Sequence, residues 1–125
     1  MATTNPTQPG EQEIEKMVRE YQMLQEQLRG AALQLDQMQN VKADLERAKS
    51  EIEKASGKVY ISVGSVIVET TKEKALSDVT EKAEIANVRL QSANKQYTEF
   101  KTREKQLGEK ITQIYQQGRG AQGAQ

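Results

Sequence analysis

The sequence predicts an all-α dominated fold: a long antiparallel two-helix coiled coil with one central β-hairpin that assembles with hairpins of other subunits. Three observations predict it. Two long blocks carry apolar residues at alternating spacings of three and four, the pattern of a heptad seam. Between them the stretch "GKVYISVGSVIVETT", residues 57 to 71, is dense in β-branched residues. Finally, 35% hydrophobic and 29% charged residues over 125 positions, with one Phe, four Tyr and no Trp, supply little material for a globular core. Such a chain is expected to be elongated and to complete its core with partners.

The same composition excludes several functions. Lys plus Arg equals Asp plus Glu at 18 each, so no basic excess exists to displace counterions from a phosphate backbone, and nucleic acid is not an expected partner. No run approaches the about 18 apolar residues of a membrane span, and no charged, apolar and small-residue signal opens the chain. A soluble, cytoplasmic protein with no membrane partner is expected. Zero Cys and zero His remove disulfides, thiolate metal sites and the commonest general base, so neither an enzyme nor a cofactor is expected.

Residues 1–10, "MATTNPTQPG", and residues 118–125, "GRGAQGAQ", have no periodicity and are expected to be disordered. Helix 1 is predicted over 11–56. Its seam runs Ile14, Met17, Tyr21, Leu24, Leu28, Ala31, Leu35, Met38, Leu45 and Ile52. Where Lys42 and Lys49 interrupt it, Val41 and Ala48 are expected to take over, as a local stammer would arrange. The hairpin is predicted over 57–70 and helix 2 over 71–117. The second seam is Leu76, Val79, Ala83, Ala86, Leu90, Ala93, Tyr97, Phe100, Glu104, Leu107, Ile111 and Ile114, with only Glu104 not apolar.

Each helix of roughly 42 to 45 residues would extend about 65 Å. Folded back on each other, residues whose numbers add to about 128 meet, which pairs Ile14 with Ile114, Leu28 with Phe100 and Ile52 with Leu76. Thr70 with Glu73 reads as a capping box for helix 2. Gly30 and Gly108 fall off the seam and read as tolerated surface glycines, or as points of flexibility in the arms.

In the central stretch, Gly64-Ser65 as a two-residue turn with Gly first fits type II′. Val63 then pairs with Val66, Ser62 with Ile67, Ile61 with Val68 and Tyr60 with Glu69. One face becomes Val59, Ile61, Val63, Val66, Val68 and Thr70. An isolated hairpin is marginal in water, and this one has a continuous apolar face and two open edges. It must be covered: its own helices can reach only part of it, so hairpins of other subunits are expected to supply the rest, the alternative being a hairpin folded back on its own helices in a monomer. Off the seam, Val41, Ala48, Ile85 and Val88 could meet a barrel or neighbouring subunit, and Val18, Met23 and Tyr115 add apolar surface at the far end, which reads either as scattered surface apolar residues, the commoner case, or as a site for nonpolar segments of another chain.

The order of long heptad helix, "VYISVGSVIVETTKEKAL" and long heptad helix resembles the β class of prefoldin subunits, the archaeal form above all, over residues 11 to 117. The specific parts are "VY", "VG" and "IVETTKEKAL", followed by "EKAEIANVRL", whose Glu84 and Arg89-Leu90 look like the family's second-helix pattern. One hairpin favours the β class, because the α class inserts two. The resemblance implies a hexamer of two α-class and four β-class subunits, so further copies of this chain and an α-class prefoldin subunit are expected partners. It implies hairpins joined in a double, intersubunit β-barrel, and an ATP-independent holdase that captures unfolded polypeptides at coiled-coil tips and passes them to a group II chaperonin. Carried over by position, the assembly residues are Val59, Tyr60, Ile61, Val63, Gly64, Val66, Ile67 and Val68. The client-binding residues are Ile14, Met17, Val18 and Tyr21 with Leu107, Ile111, Ile114 and Tyr115. The sequence has no GxxxxGK[ST] phosphate loop, which agrees with ATP independence.

The rival reading is an oligomeric coiled-coil scaffold whose tips bind one specific folded partner. The carboxylate pairs Glu11 with Glu15 and Glu46 with Glu53 read as solvated surface charges rather than catalytic pairs. Arg19, Arg29 and Arg47, interleaved with acids, read as partners in i,i+4 ion pairs.

Overall fold

The computed structural model describes the backbone of residues 10–123 and the side-chain environments of residues 10–118. It contains two long helices, α1 (Glu11–Lys54) and α2 (Lys72–Gly123), with strands β1 (Val59–Val63) and β2 (Val66–Thr70) between them. The chain divides into two compact units. A terminal unit comprises the residues up to Ala32 and those from Gln96 onward, and a hairpin unit comprises Leu33–Lys95.

Both seams follow the 3–4 spacing. On α2 every predicted position from Leu76 to Ile114 is buried or half-buried, Glu104 included. On α1 the predicted positions behave alike, with one correction at the interruption. Lys42 keeps its place as a half-buried seam residue and Val41 is 42% exposed, so Val41 does not take over. The long aliphatic stem of a lysine can lie along an apolar seam while its ammonium reaches water. One turn later Ala48 is half-buried and Lys49 exposed, so the shift of the stripe falls there. It also removes Ala48 from the lateral surface expected to meet a neighbour.

The helix bounds differ from the predicted ones at three places, the first being the start of α2 at Lys72 rather than 71. α1 ends at Lys54 rather than 56, and Gly57 follows with φ +122°, a backbone conformation that side-chain-bearing residues rarely adopt. α2 continues to Gly123, past the predicted end at 117, so residues 118–123 of the expected disordered tail are helical. The expected disordered start, residues 1–10, lies outside the described residues except for Gly10.

The cap of α2 is also corrected. The Thr71 hydroxyl accepts a hydrogen bond from the Lys74 amide at 3.2 Å, so the cap is Thr71. Thr70 is the last residue of β2 and pairs with Val59 in the ladder, which takes it out of reach of that role.

The hairpin has the predicted register: Val63 with Val66, Ser62 with Ile67, Ile61 with Val68, Tyr60 with Glu69, and Val59 with Thr70. Gly64 has φ +61° and no non-glycine residue among those described has positive φ, so Ser65 at the second turn position is on the ordinary side. That combination is type II′ and excludes type I′, which needs both residues positive.

Candidate functional surfaces

In the hairpin unit, the register sends alternate side chains to opposite faces of the two-stranded sheet. Val59, Ile61 and Thr70, nearest the helices in sequence, are half-buried. Toward the turn cover is lost: Val63 and Val66 are each 58% exposed and Val68 is 43% exposed. The opposite face carries Tyr60 and Ile67, the latter 73% exposed and diagonal to Tyr60 across the strands. Gly64 has open space where a Cβ would stand, so it serves the turn rather than a close contact. The predicted assembly residues are thus brought together on one hairpin, and its apolar side chains lie largely uncovered within the chain.

Two features of this unit escaped the sequence reading. The Lys72 ammonium donates to the Glu53 carbonyl at 2.7 Å and to the Ala55 carbonyl at 3.4 Å. It thereby satisfies carbonyls left unpaired where α1 ends, and a cation is favoured at that pole of the helix dipole. The signal was present: a lysine at the first position of α2, where the hairpin returns the chain to the end of α1. The other is Ala75, which lies off the predicted seam and is fully buried. Further along the unit, a shallow groove of about 380 Å³ is lined by Met38, Val41, Leu45, Ile85 and Ala86, with Lys82 and Arg89 beside them. Val41, Ile85 and Val88 are exposed, as expected for a lateral apolar surface.

In the terminal unit the start of α1 runs antiparallel to the end of α2. A Cβ added at Gly108 would stand 3.1 Å from Tyr21 Cε2, a pairing close to the predicted register. Gly108 is therefore not an idle surface glycine; it lies beneath the Tyr21 ring. Gly30, by contrast, has nothing within 4 Å. Of the predicted client-binding residues, Ile14, Met17, Val18, Tyr21, Leu107, Ile111 and Ile114 are half-buried and Tyr115 is 56% exposed. Met23, at 62%, is the other large apolar side chain exposed in the described part of this unit.

The charged side chains add little chemistry of their own. Arg29 pairs with Glu26 at 3.2 Å and Arg47 with Asp44 at 3.9 Å, both at i,i+3 rather than the predicted i,i+4, while Lys82 reaches Asp78 at 3.0 Å across i,i+4. All are solvent-exposed pairs of small energetic weight. Among the described residues, no group of three or more His, Cys, Asp or Glu side chains is placed to hold a metal ion, and no helix is long and apolar enough to cross a membrane.

The family model described as prefoldin subunit matches residues 15–118, which include the hairpin and most of both helices. The chain belongs to the prefoldin subunit family. Prefoldin subunit beta of Pyrococcus abyssi is 38% identical over 104 residues, spanning 79% of this chain and 86% of that relative. Prefoldin subunit beta of Pyrococcus furiosus is 39% identical over the same shares. Among solved structures, the prefoldin beta subunit from Thermococcus strain KS-1 superposes with a TM-score of 0.76 at 29% identity, covering 90% of this chain and 96% of that one. The two-helix, one-hairpin architecture is thus the prefoldin β fold. Prefoldin subunits are non-enzymatic chaperone components, and β subunits form oligomers with other prefoldin subunits.

Proposed function

We propose that this prefoldin subunit is part of a cytoplasmic, ATP-independent holdase that captures unfolded polypeptides at its helix ends and delivers them to a group II chaperonin. The observation that carries this reading is that each unit holds a set of apolar side chains its own chain does not fully cover. One lies on the hairpin, the other in the terminal unit. A two-stranded sheet with open edges and Val63, Val66, Ile67 and Val68 exposed is an incomplete structure, and hairpins of an α-class subunit and of further β copies would complete it as a barrel. Val59, Tyr60, Ile61 and Gly64 belong to the same assembly surface.

The terminal unit then supplies the client surface: Ile14, Met17, Val18, Tyr21, Leu107, Ile111, Ile114 and Tyr115. Half-buried aliphatic side chains with an exposed Tyr115, and Met23 beside them, favour weak, sequence-tolerant contact with nonpolar segments. Several such patches on one oligomer raise the effective concentration of each for a client already held by another, so retention needs no single tight contact. Release then requires a competing acceptor rather than a nucleotide.

The test is light scattering of two unrelated, chemically denatured proteins diluted into buffer without ATP, in the presence of this chain assembled with an α-class prefoldin subunit. Suppression of aggregation near stoichiometric amounts, followed by recovery of client activity on adding a group II chaperonin with ATP, is expected. An assembled complex that suppresses neither client would replace the holdase with a scaffold dedicated to one partner.

A further inference from the structure

The terminal unit contains a device that bears on how much of its apolar surface is on offer. Most large apolar side chains of this unit are half-buried in the seam, and Met23 and Tyr115 are the large ones exposed among its described residues. The closure of the seam therefore sets the exposed apolar area. At one point in it, the ring of the half-buried Tyr21 crosses the backbone of α2 at Gly108. Cε2, Cζ and the hydroxyl lie 3.1, 3.7 and 3.7 Å from where a Cβ would stand. A 3.1 Å approach is inside ordinary carbon–carbon contact, so any side chain at 108 moves the ring. The Gly108 carbonyl is occupied too, accepting the Thr112 hydroxyl at 2.9 Å in addition to its place in the helix. Helix propensity argues against a glycine here, and the surroundings of Gly30 show what an idle one looks like: open space.

We propose that Gly108 is a positioning residue that seats the Tyr21 ring against α2 and so holds the terminal seam shut, setting how much of Ile14, Met17, Leu107, Ile111 and Ile114 is presented to a nonpolar polypeptide segment. Tyr21 acts first as the latch of the seam and only secondarily as a contact for the client. The last clause rests on the client-binding reading above; the latch itself does not.

Because the chain has no cysteine, a single Ile111→Cys substitution supplies a unique thiol that reports seam opening by its alkylation rate in the full chain. Adding Gly108→Leu is expected to raise that rate at least several-fold, whereas Gly30→Leu, which changes helix propensity equally and whose Cβ has nothing within 4 Å, leaves it unchanged. Exchanging large for small across the seam, Tyr21→Ala with Gly108→Leu, is expected to return the rate toward its starting value. Equal rates for the Gly108 and Gly30 variants overturn the latch, as does an exchange that fails to restore protection. Client capture by the same variants is read separately. A faster thiol with unchanged capture keeps the latch and removes the client-binding reading, while a faster thiol with altered capture supports both.

Discussion

The two units use the same heptad pattern but cover it differently. In the hairpin unit the seam contains small residues, of which Val79, Ala86 and Ala93 are buried, as is Ala75 off the predicted seam. In the terminal unit Ala31 is the buried apolar residue among those described, and the seam is otherwise built from larger side chains such as Met17, Tyr21, Phe100, Leu107 and Ile111, all half-buried. The physical difference is one of size against cover. A two-helix seam has only one partner helix to lay over each residue, enough to enclose an alanine methyl and too little to enclose a leucine or tyrosine. Besides Leu33, Val41, Ile85 and Val88 on its helices, the hairpin unit carries its uncovered apolar area on the strands, whereas in the terminal unit it is spread along the seam itself. The first arrangement suits permanent assembly through backbone edges and β-branched faces. The second suits reversible contact with varied chains.

The sharpest way to break this contrast is to charge the hairpin. Val63→Asp is expected to dissociate the oligomer by burying an unpaired carboxylate in the completed sheet, while the exposed position of Val63 leaves the chain's own helices intact. Sedimentation velocity and far-UV circular dichroism on the same sample check both halves, and Ile61→Asp should behave alike. An unchanged mass for both variants would refute assembly through the hairpin. Next in size, deleting residues 1–21 together with 108–125 should leave the mass per subunit consistent with an intact oligomer and lower client capture severely. Full capture by the truncated complex would move the client surface out of the terminal unit.

Two smaller effects sharpen the comparison inside the hairpin unit. Lys72→Met removes the ammonium from the Glu53 and Ala55 carbonyls and should cost about 1 kcal/mol, read as a lowered midpoint in denaturant. Thr71→Ala should cost about 1 kcal/mol by loss of the cap on α2. Thr70→Ala should cost clearly less, and the reverse order would restore the Thr70 capping box.

Much of the fold was legible because its signals are local. The 3–4 spacing marks which residues of a helix share a stripe whatever the partner is, and it placed Leu76 through Ile114 correctly, even Glu104. A glycine first in a two-residue turn selects the only primed turn that spares Ser65 a positive φ, and from that turn the register follows residue by residue. The candidate surfaces were legible as positions on elements rather than as contacts: on the hairpin Val63, Val66, Ile67 and Val68 are uncovered while Val59 and Ile61 are half-buried, and the helix-end residues divide into a half-buried set and an exposed Tyr115.

What the sequence by itself determined, then, is the alternation of helix, hairpin and helix and the stripe along each helix, since both depend on periodicity and turn chemistry within a few residues. Tertiary structure alone decided between Lys42 and Val41 for the seam, between Thr71 and Thr70 for the cap, and between an idle glycine and a seat for Tyr21 at position 108. Two of those choices turn on a group from elsewhere in the chain: ladder pairing with Val59 for Thr70, and an aromatic ring on α1 for Gly108. Adjacent residues are near equals in propensity, and only the atoms packed against them separate the alternatives.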